Sequence, residues 1–484
     1  MVALSFIDWI VIILFFILIA YVGKWASSKV KSEEDYLIGS KSLGKLPTAL
    51  STAATDFGGS SLIGAAGLAY TAGIAGAWWN WSAVPAWIIL GLTLAKGFRK
   101  LGLTTVPEFL ERRYSVKTRV VAALLYLGGQ TVSITAQTVV AALAITTLTG
   151  IPQHYTYIIA TVLFVTYTAA GGLVAVVWTD VIEYFVLMFG VIIMMPLAIS
   201  KAGGMSHIMQ TVPASFWDLG AMGTMEPAAW IALCFFAYST NQHVVQRLFA
   251  SKDESTARFA YIFTGVNFIF YGLIVAVLGI AASVIAPNLS DPDMAVPVLI
   301  QQVLPVGIRG LLLASILAAT MSTSSSKLNS CATIFHVDIY KRLIRKDISE
   351  KEGIFVARVT TVVIALISLL FSKILTGVVS IIVLSSLIYS AGVFFPLILG
   401  MRNKKVNAYG ATSAIILGGG FAVLSKFYLY KHVGGFFGGL HPMFAGSIAS
   451  LLLLLIVSKL TPAPSPDKYA FIESLNEEEL TKKF

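Results

Sequence analysis

Stretches of about twenty mostly apolar residues, each long enough to cross a bilayer, recur thirteen times along the chain, separated by turns or short charged loops. They run over 4–22, 46–73, 74–95, 120–148, 155–170, 177–199, 227–245, 259–285, 310–335, 355–371, 378–399, 409–428 and 442–457. The pattern predicts an all-α polytopic membrane protein with residues 1–460 as one transmembrane domain. Residues 461–484 carry Pro462, Pro464 and Pro466 and end in Asn476-Glu477-Glu478-Glu479 and a few further residues, the composition of a solvated tail. The first stretch has neither a basic leader nor a small-residue cleavage site, so it is expected to stay in the mature protein.

Composition sharpens this picture. Of 484 residues, 57% are apolar and 12% charged, against roughly 45–50% and about 25% in soluble domains. A soluble globular protein is excluded. The net charge of +10 does not point to nucleic acid, because the basic residues sit in short loops beside apolar spans. Clusters such as Lys96, Arg99, Lys100, Arg112 and Arg113, or Lys341, Arg342, Arg345 and Lys346, fall on one side. Of the 34 Lys and Arg, only Lys201, Arg309, Lys373, Lys426 (near the end of its span) and Lys431 fall towards the other side, and Lys327 lies deep inside a span. The positive-inside effect predicts an integral protein of the cell membrane with its N-terminus outside and its C-terminus cytoplasmic. Only two cysteines occur, Cys234 and Cys331, so no disulfide framework can be built.

Two spans are interrupted near their middles by residues that disfavour helix: the second at Asp56-Phe57-Gly58-Gly59-Ser60-Ser61, the seventh at Ser239-Thr240-Asn241. Broken helices five spans apart fit an inverted five-plus-five repeat, 46–199 and 227–399, with one preceding helix (4–22) and two following (409–457). They equally fit small residues that let helices pack closely.

Asp56 lies in mid-span, where a carboxylate costs about 2.5–3.5 kcal/mol on insertion scales and calls for a cation, a proton or a wet cavity. Capping of the broken helix is the alternative role. In the ninth span, Ala319, Ser322 and Thr323 bring a carbonyl and two hydroxyls towards one locality. A small cation would find most of an oxygen cage there; back-bonding of hydroxyls to carbonyls one turn earlier is the other reading. His243 follows the second break, as a titrating group or a satisfied interior histidine. Trp78, Trp79 and Trp81 suit interface or packing roles. No nucleophile with a base and no ligand cluster stands out, so an enzyme is not expected.

Five segments resemble the sodium:solute symporter family, and they occur in the family's order. They are Asp35-Tyr36-Leu37-Ile38-Gly39, the run from Gly171-Gly172-Leu173 to Trp178-Thr179-Asp180, and Asn241-Gln242-His243-Val244-Val245-Gln246-Arg247. The fourth is Leu328-Asn329-Ser330 with Asp338-Ile339-Tyr340, and the fifth runs from Gly400 through Lys405, Gly410 and Ala411 to Gly420. The resemblance implies a leucine-transporter-like inverted-repeat fold and sodium-coupled symport of a small organic solute, with sodium as coupling ion and no other cofactor. It implies a sodium site at the carbonyls of Ala54, Phe57 and Ala319 and the hydroxyls of Ser322 and Thr323. Asp56 and Asp180 would favour a cation nearby. The solute site would be lined by Ser61, Asn80, Ser133 or Gln137, Asn241, Tyr389 and Ser390.

The sequence departs from the family at two places. In sugar-carrying relatives the positions of Ser61 and Asn80 look like Gln and Glu, so an amino acid such as proline, or a carboxylate, is expected here instead. Lys327, four residues beyond Thr323, stands where relatives have a small or neutral residue. Its ammonium either turns back to the cage, which would make the carrier proton-coupled or sodium-independent, or pairs with Asp180 or Glu183. A membrane-embedded solute sensor of the same fold is a further alternative, but the tail after Lys459 is expected to be too short for a signalling domain. Nothing in the sequence points to an oligomeric state.

Overall fold

The computed structural model describes residues 4–28, 43–94, 103–470 and 473. The motif at 35–39, the basic residues Lys96, Arg99 and Lys100, and the acidic end of the tail lie outside these. Among the described residues the chain is helical, with one isolated bridge between Leu43 and Ser251 in place of any strand.

The peripheral helix α1 (Phe6–Ser27) buries Ile12, Phe15 and Ile19 at helical spacing and leaves Ile10, Ile13, Leu14 and Ile17 exposed, as expected of a helix facing lipid on one side. It begins with Ser5 and Asp8 capping each other. Helices α2 (Lys45–Asp56) and α3 (Gly59–Ala72) are the two halves of the first broken span. Next come α4 (Ala83–Thr93), α5 (Val106–Arg113), α6 (Val116–Thr149) and α7 (Gln153–Lys201). The second broken span is α8 (Met225–Thr240) and α9 (Gln242–Ala250), followed by α10 (Glu254–Ile285). At the centre, α12 (Ile308–Ile334), reached through α11 (Ala295–Val303), is buried at every residue except Ile308 and Leu311 and widens into a π-helix over Phe335–Ile344. Then follow α13 (Glu350–Phe371), α14 (Val378–Ile388), α15 (Ser390–Arg402), a span over Ala408–Leu429 that alternates α and π turns, and a last helix, Pro442–Leu460.

Nine helices among the described residues are long and apolar enough to cross a membrane, or ten if α14 and α15, bent by 44°, count as one. The difference from thirteen has three sources. The break at Phe57-Gly58 leaves α2 too short alone, with α3 running on into a single stretch Gly59–Thr93. The break at Asn241 leaves α8 with 16 residues and α9 with nine. The fifth and sixth predicted spans form one helical stretch of 49 residues that Gly171-Gly172 does not end. A straight helix of that length would extend about 73 Å at 1.5 Å per residue, over twice a hydrocarbon core of about 30 Å.

Buried charge fastens the bundle. Asp8 accepts from the N–H groups of Gly307 (2.7 Å) and Gly310 (3.1 Å) and from Arg309 (3.2 Å), tying α1 to the start of α12. At the other end of α12, Arg119 bridges Asp338 and Glu111, both at 2.6 Å, and Arg342 reaches Glu111 as well.

Candidate ion and solute site

The first break is made by two glycines pressed against α12. A Cβ on Gly58 would lie 2.2 Å from Thr323 Oγ1, and one on Gly59 would lie 2.4 Å from Thr320 Cγ2. Only glycine lets the backbone come this close. Phe57 (φ −74°, ψ 14°) and Gly58 (φ −48°, ψ 168°) leave the helical region, so amide and carbonyl groups of the two half-helices face α12. Thr323 Oγ1 sits 2.7 Å from Thr55 O and 3.0 Å from Ala319 O, joining the break to the central helix. Phe57 is held by stacking on Tyr271, ring centroids 4.4 Å apart, and by an edge-on contact with Phe268 at 4.5 Å. Ala54 is buried one turn earlier. Of the five positions assigned to the cage by resemblance, Ala319 and Thr323 touch each other and Thr323 also touches Thr55 O at the break, whereas the Phe57 carbonyl accepts from Tyr271 OH at 3.5 Å. The Ser322 hydroxyl turns instead to Asp180, to which it donates a short hydrogen bond.

Asp180 is the centre of a saturated polar cluster. Its carboxylate also accepts from Ser51 Oγ (2.5 Å) and from Arg247 (3.0 Å). Arg247 further donates to Thr55 Oγ1 (2.5 Å), Ser326 Oγ (2.8 Å), Ser51 Oγ (2.9 Å) and the His243 carbonyl (2.7 Å). Lys327 therefore pairs with neither Asp180 nor Glu183: its ammonium donates to Ser133 Oγ at 2.6 Å. Glu183, one turn beyond Asp180, is buried with both carboxylate oxygens unpartnered among the described residues.

Beside the cage lies a cavity of about 90 Å³ enclosed by both breaks, α6, α12 and α14. Asp56 enters it, its Oδ2 accepting from Tyr238 OH (2.5 Å) and Trp87 Nε1 (3.2 Å). Ser61, Asn80, Ser133 and Asn241, which the resemblance assigned to a solute site, line this cavity. Gln137, Tyr389 and Ser390 stand behind the wall: Gln137 donates to Ser60 Oγ (2.9 Å), Tyr389 to Thr240 O (3.3 Å), and Ser390 accepts from Thr240 Oγ1 (3.1 Å). Ser385 and Ser386 line the cavity in place of that last pair. Sequence reasoning also missed Tyr238 and Trp79 as wall residues, and Trp87 as a partner of Asp56. Tyr238 lies 182 positions from Asp56 and Trp87 lies 31 from it, so no local signal tied either to the carboxylate. Trp78 and Trp81 donate to the carbonyls of Leu219 and Ile269, both at 3.0 Å, and serve packing. His243 lines the cavity, with Nδ1 buried and unpartnered.

Two interrupted helices around a polar cavity, with main-chain and hydroxyl oxygens beside it, are the arrangement of a secondary transporter. Comparison with known proteins makes the class specific. The sodium:solute symporter family model matches residues 36–418, and the chain belongs to that family. It is 30% identical over 467 residues to the sodium/glucose cotransporter of Vibrio parahaemolyticus, covering 88% of this chain and 86% of the relative. It is 26% identical over 466 residues to the high-affinity proline transporter PutP of Bacillus subtilis (strain 168), covering 92% and 96%. A solved Na⁺-coupled sialic acid symporter, in a substrate-bound outward-open state, superposes with a TM-score of 0.82 at 23% identity, covering 95% of this chain and 99% of the other. The protein is thus an integral membrane sodium-coupled symporter of leucine-transporter-like fold, not an enzyme, with sodium as coupling ion.

Proposed function

We propose that this symporter carries a small amino acid, such as proline, or a small carboxylate, and that its solute occupies the cavity between the two breaks. Sodium would sit between the carbonyls of Ala54, Phe57 and Ala319 and the hydroxyls of Thr323 and Ser322, with Asp56 and Asp180 favouring a cation there. The observation that carries the ion reading is the contact of Thr323 Oγ1 with Thr55 O (2.7 Å) across the Gly58 break, while its bond to Ala319 O (3.0 Å), one turn earlier in its own helix, is the back-bonding alternative. An ion at this junction bridges α2 and α12, orders the break and completes the adjacent cavity, so ion and solute share a coupling free energy. Lys327 turned to Ser133 supports a sodium ion over a fixed ammonium in the cage.

The solute class rests on size and on polar groups. The small size of the cavity, about 90 Å³, supports a small solute. Ser61 Oγ already donates to Asp56 O (2.6 Å) and Asn80 to Ser61 O (3.2 Å), so both brace the break rather than offering free grips for sugar hydroxyls. We read 46–199 and 227–399 as the inverted repeats, and the N-terminus as outside, from the loop charges. Thermal stabilisation of the purified protein by amino acids, carboxylates and sugars, with and without sodium, tests this. A sodium-dependent shift by amino acids or carboxylates is expected, and a shift by sugars alone overturns the solute class.

A further inference from the structure

We propose that Asp56 and Lys327 are the two poles of a zwitterion site: the solute is an α-amino acid whose carboxylate is received by Lys327 and whose ammonium is received by Asp56. The inference rests on the reading of the cavity as the solute site. Both residues line that cavity, one at the end of α2 and the other on α12. They are neighbours: Thr55 O touches Thr323, and Lys327 follows Thr323 by one helical turn, about 6 Å of rise.

Each pole is only partly satisfied by the protein. Lys327 has three donors, and among the described residues one is used, to Ser133, with no carboxylate in ion-pair reach. Asp56 takes both its bonds, from Tyr238 and Trp87, on Oδ2, which leaves Oδ1 for a guest. An unpaired ammonium in a low-dielectric interior is costly, and a guest carboxylate that pairs with it removes that cost. The two poles make the cavity electrically neutral as a whole. A monocarboxylate would meet Lys327 but be repelled by Asp56, and an amine would suffer the reverse, whereas like charges across an interface are strongly disfavoured. A guest carrying both charges two bonds apart satisfies both poles. Trp79, Phe268 and Leu233 complete the wall and leave room for a short side chain.

The test is binding of glycine, L-alanine and L-proline to the purified full-length protein in sodium buffer, beside propionate, propylamine and glucose. At least one amino acid should bind roughly tenfold or more tighter than propionate or propylamine, the scale of one lost charged hydrogen bond. Lys327→Met should lower amino-acid affinity by about tenfold to a hundredfold and move the preference towards propylamine; Lys327→Arg should restore much of it. Asp56→Asn should move the preference towards propionate. Misfolding would not produce opposite shifts in two variants. Propionate binding as tightly as alanine, or Lys327→Met retaining amino-acid affinity, overturns the zwitterion site while leaving the cavity as the solute site. Binding of glucose alone, or of no probe, overturns both readings.

Discussion

Arg247 with Asp180 and Lys327 with Asp56 are two base–acid combinations on neighbouring faces of α12, and they are built in opposite ways. The guanidinium makes five side-chain and main-chain contacts and its carboxylate partner is bonded on both oxygens. Among the described residues the ammonium has Ser133 alone, and its carboxylate neighbour has one oxygen without a partner. Ser326 and Lys327 are adjacent in sequence, yet one accepts from Arg247 and the other faces the cavity. Successive helical residues point about 100° apart, so one helix borders a closed polar cluster on one face and the cavity on another. The contrast distinguishes charge that holds the fold from charge that faces a cavity.

The largest test of this contrast is Arg247→Leu, which strands Asp180 as a buried, uncompensated carboxylate. A loss of about 3–5 kcal/mol is expected, read as a fall in thermal unfolding temperature of the purified protein. Adding Asp180→Asn should recover much of it. Stability equal to the parent in the single variant would erase the distinction between the two pairs. Gly58→Ala comes next: its Cβ would meet Thr323 Oγ1 at 2.2 Å. About 1–3 kcal/mol of strain is expected, together with loss of sodium-stimulated uptake, because α2 and α12 are pushed apart at the cage.

Thr323→Ala and Ser322→Ala sharpen the comparison further. Thr323 touches the Thr55 carbonyl at the break and the Ala319 carbonyl of its own helix, whereas Ser322 turns to Asp180. Removing Thr323 should raise the sodium concentration for half-maximal uptake by roughly twofold to tenfold, the worth of one neutral hydrogen bond, and Ser322→Ala should weaken it less. Equal, undiminished sodium stimulation in both would remove the cage. The smallest effect belongs to Arg112→Ala, which breaks an exposed pair with Glu108 four residues away. Such pairs contribute about 0.2–0.5 kcal/mol, so its melting curve should nearly overlay the parent's.

Much of the architecture was legible because it is local. Apolar runs marked the spans, and Gly58-Gly59 and Asn241 marked the breaks. The span count was less legible, because a break shortens a helix without changing its composition, and because Gly171-Gly172 proved compatible with continued helix. Long-range partners were the least accessible. Arg247 stood in a recognised motif, but nothing local tied it to Asp180, 67 positions earlier. The backbone bend at Tyr389 sets Ser385 and Ser386 on the cavity wall and Ser390 behind it, a choice that spacing alone leaves open.

The Asp8 clasp has a practical side. Because that carboxylate holds Gly307, Arg309 and Gly310 together, α1 is fastened to the start of α12. Ile13 lies on the outward face of α1, 54% exposed and remote from the cavity. A fluorescent label introduced there would ride on the central helix and report its tilt during turnover, giving an optical signal of the transport cycle from a position that touches neither ion nor solute.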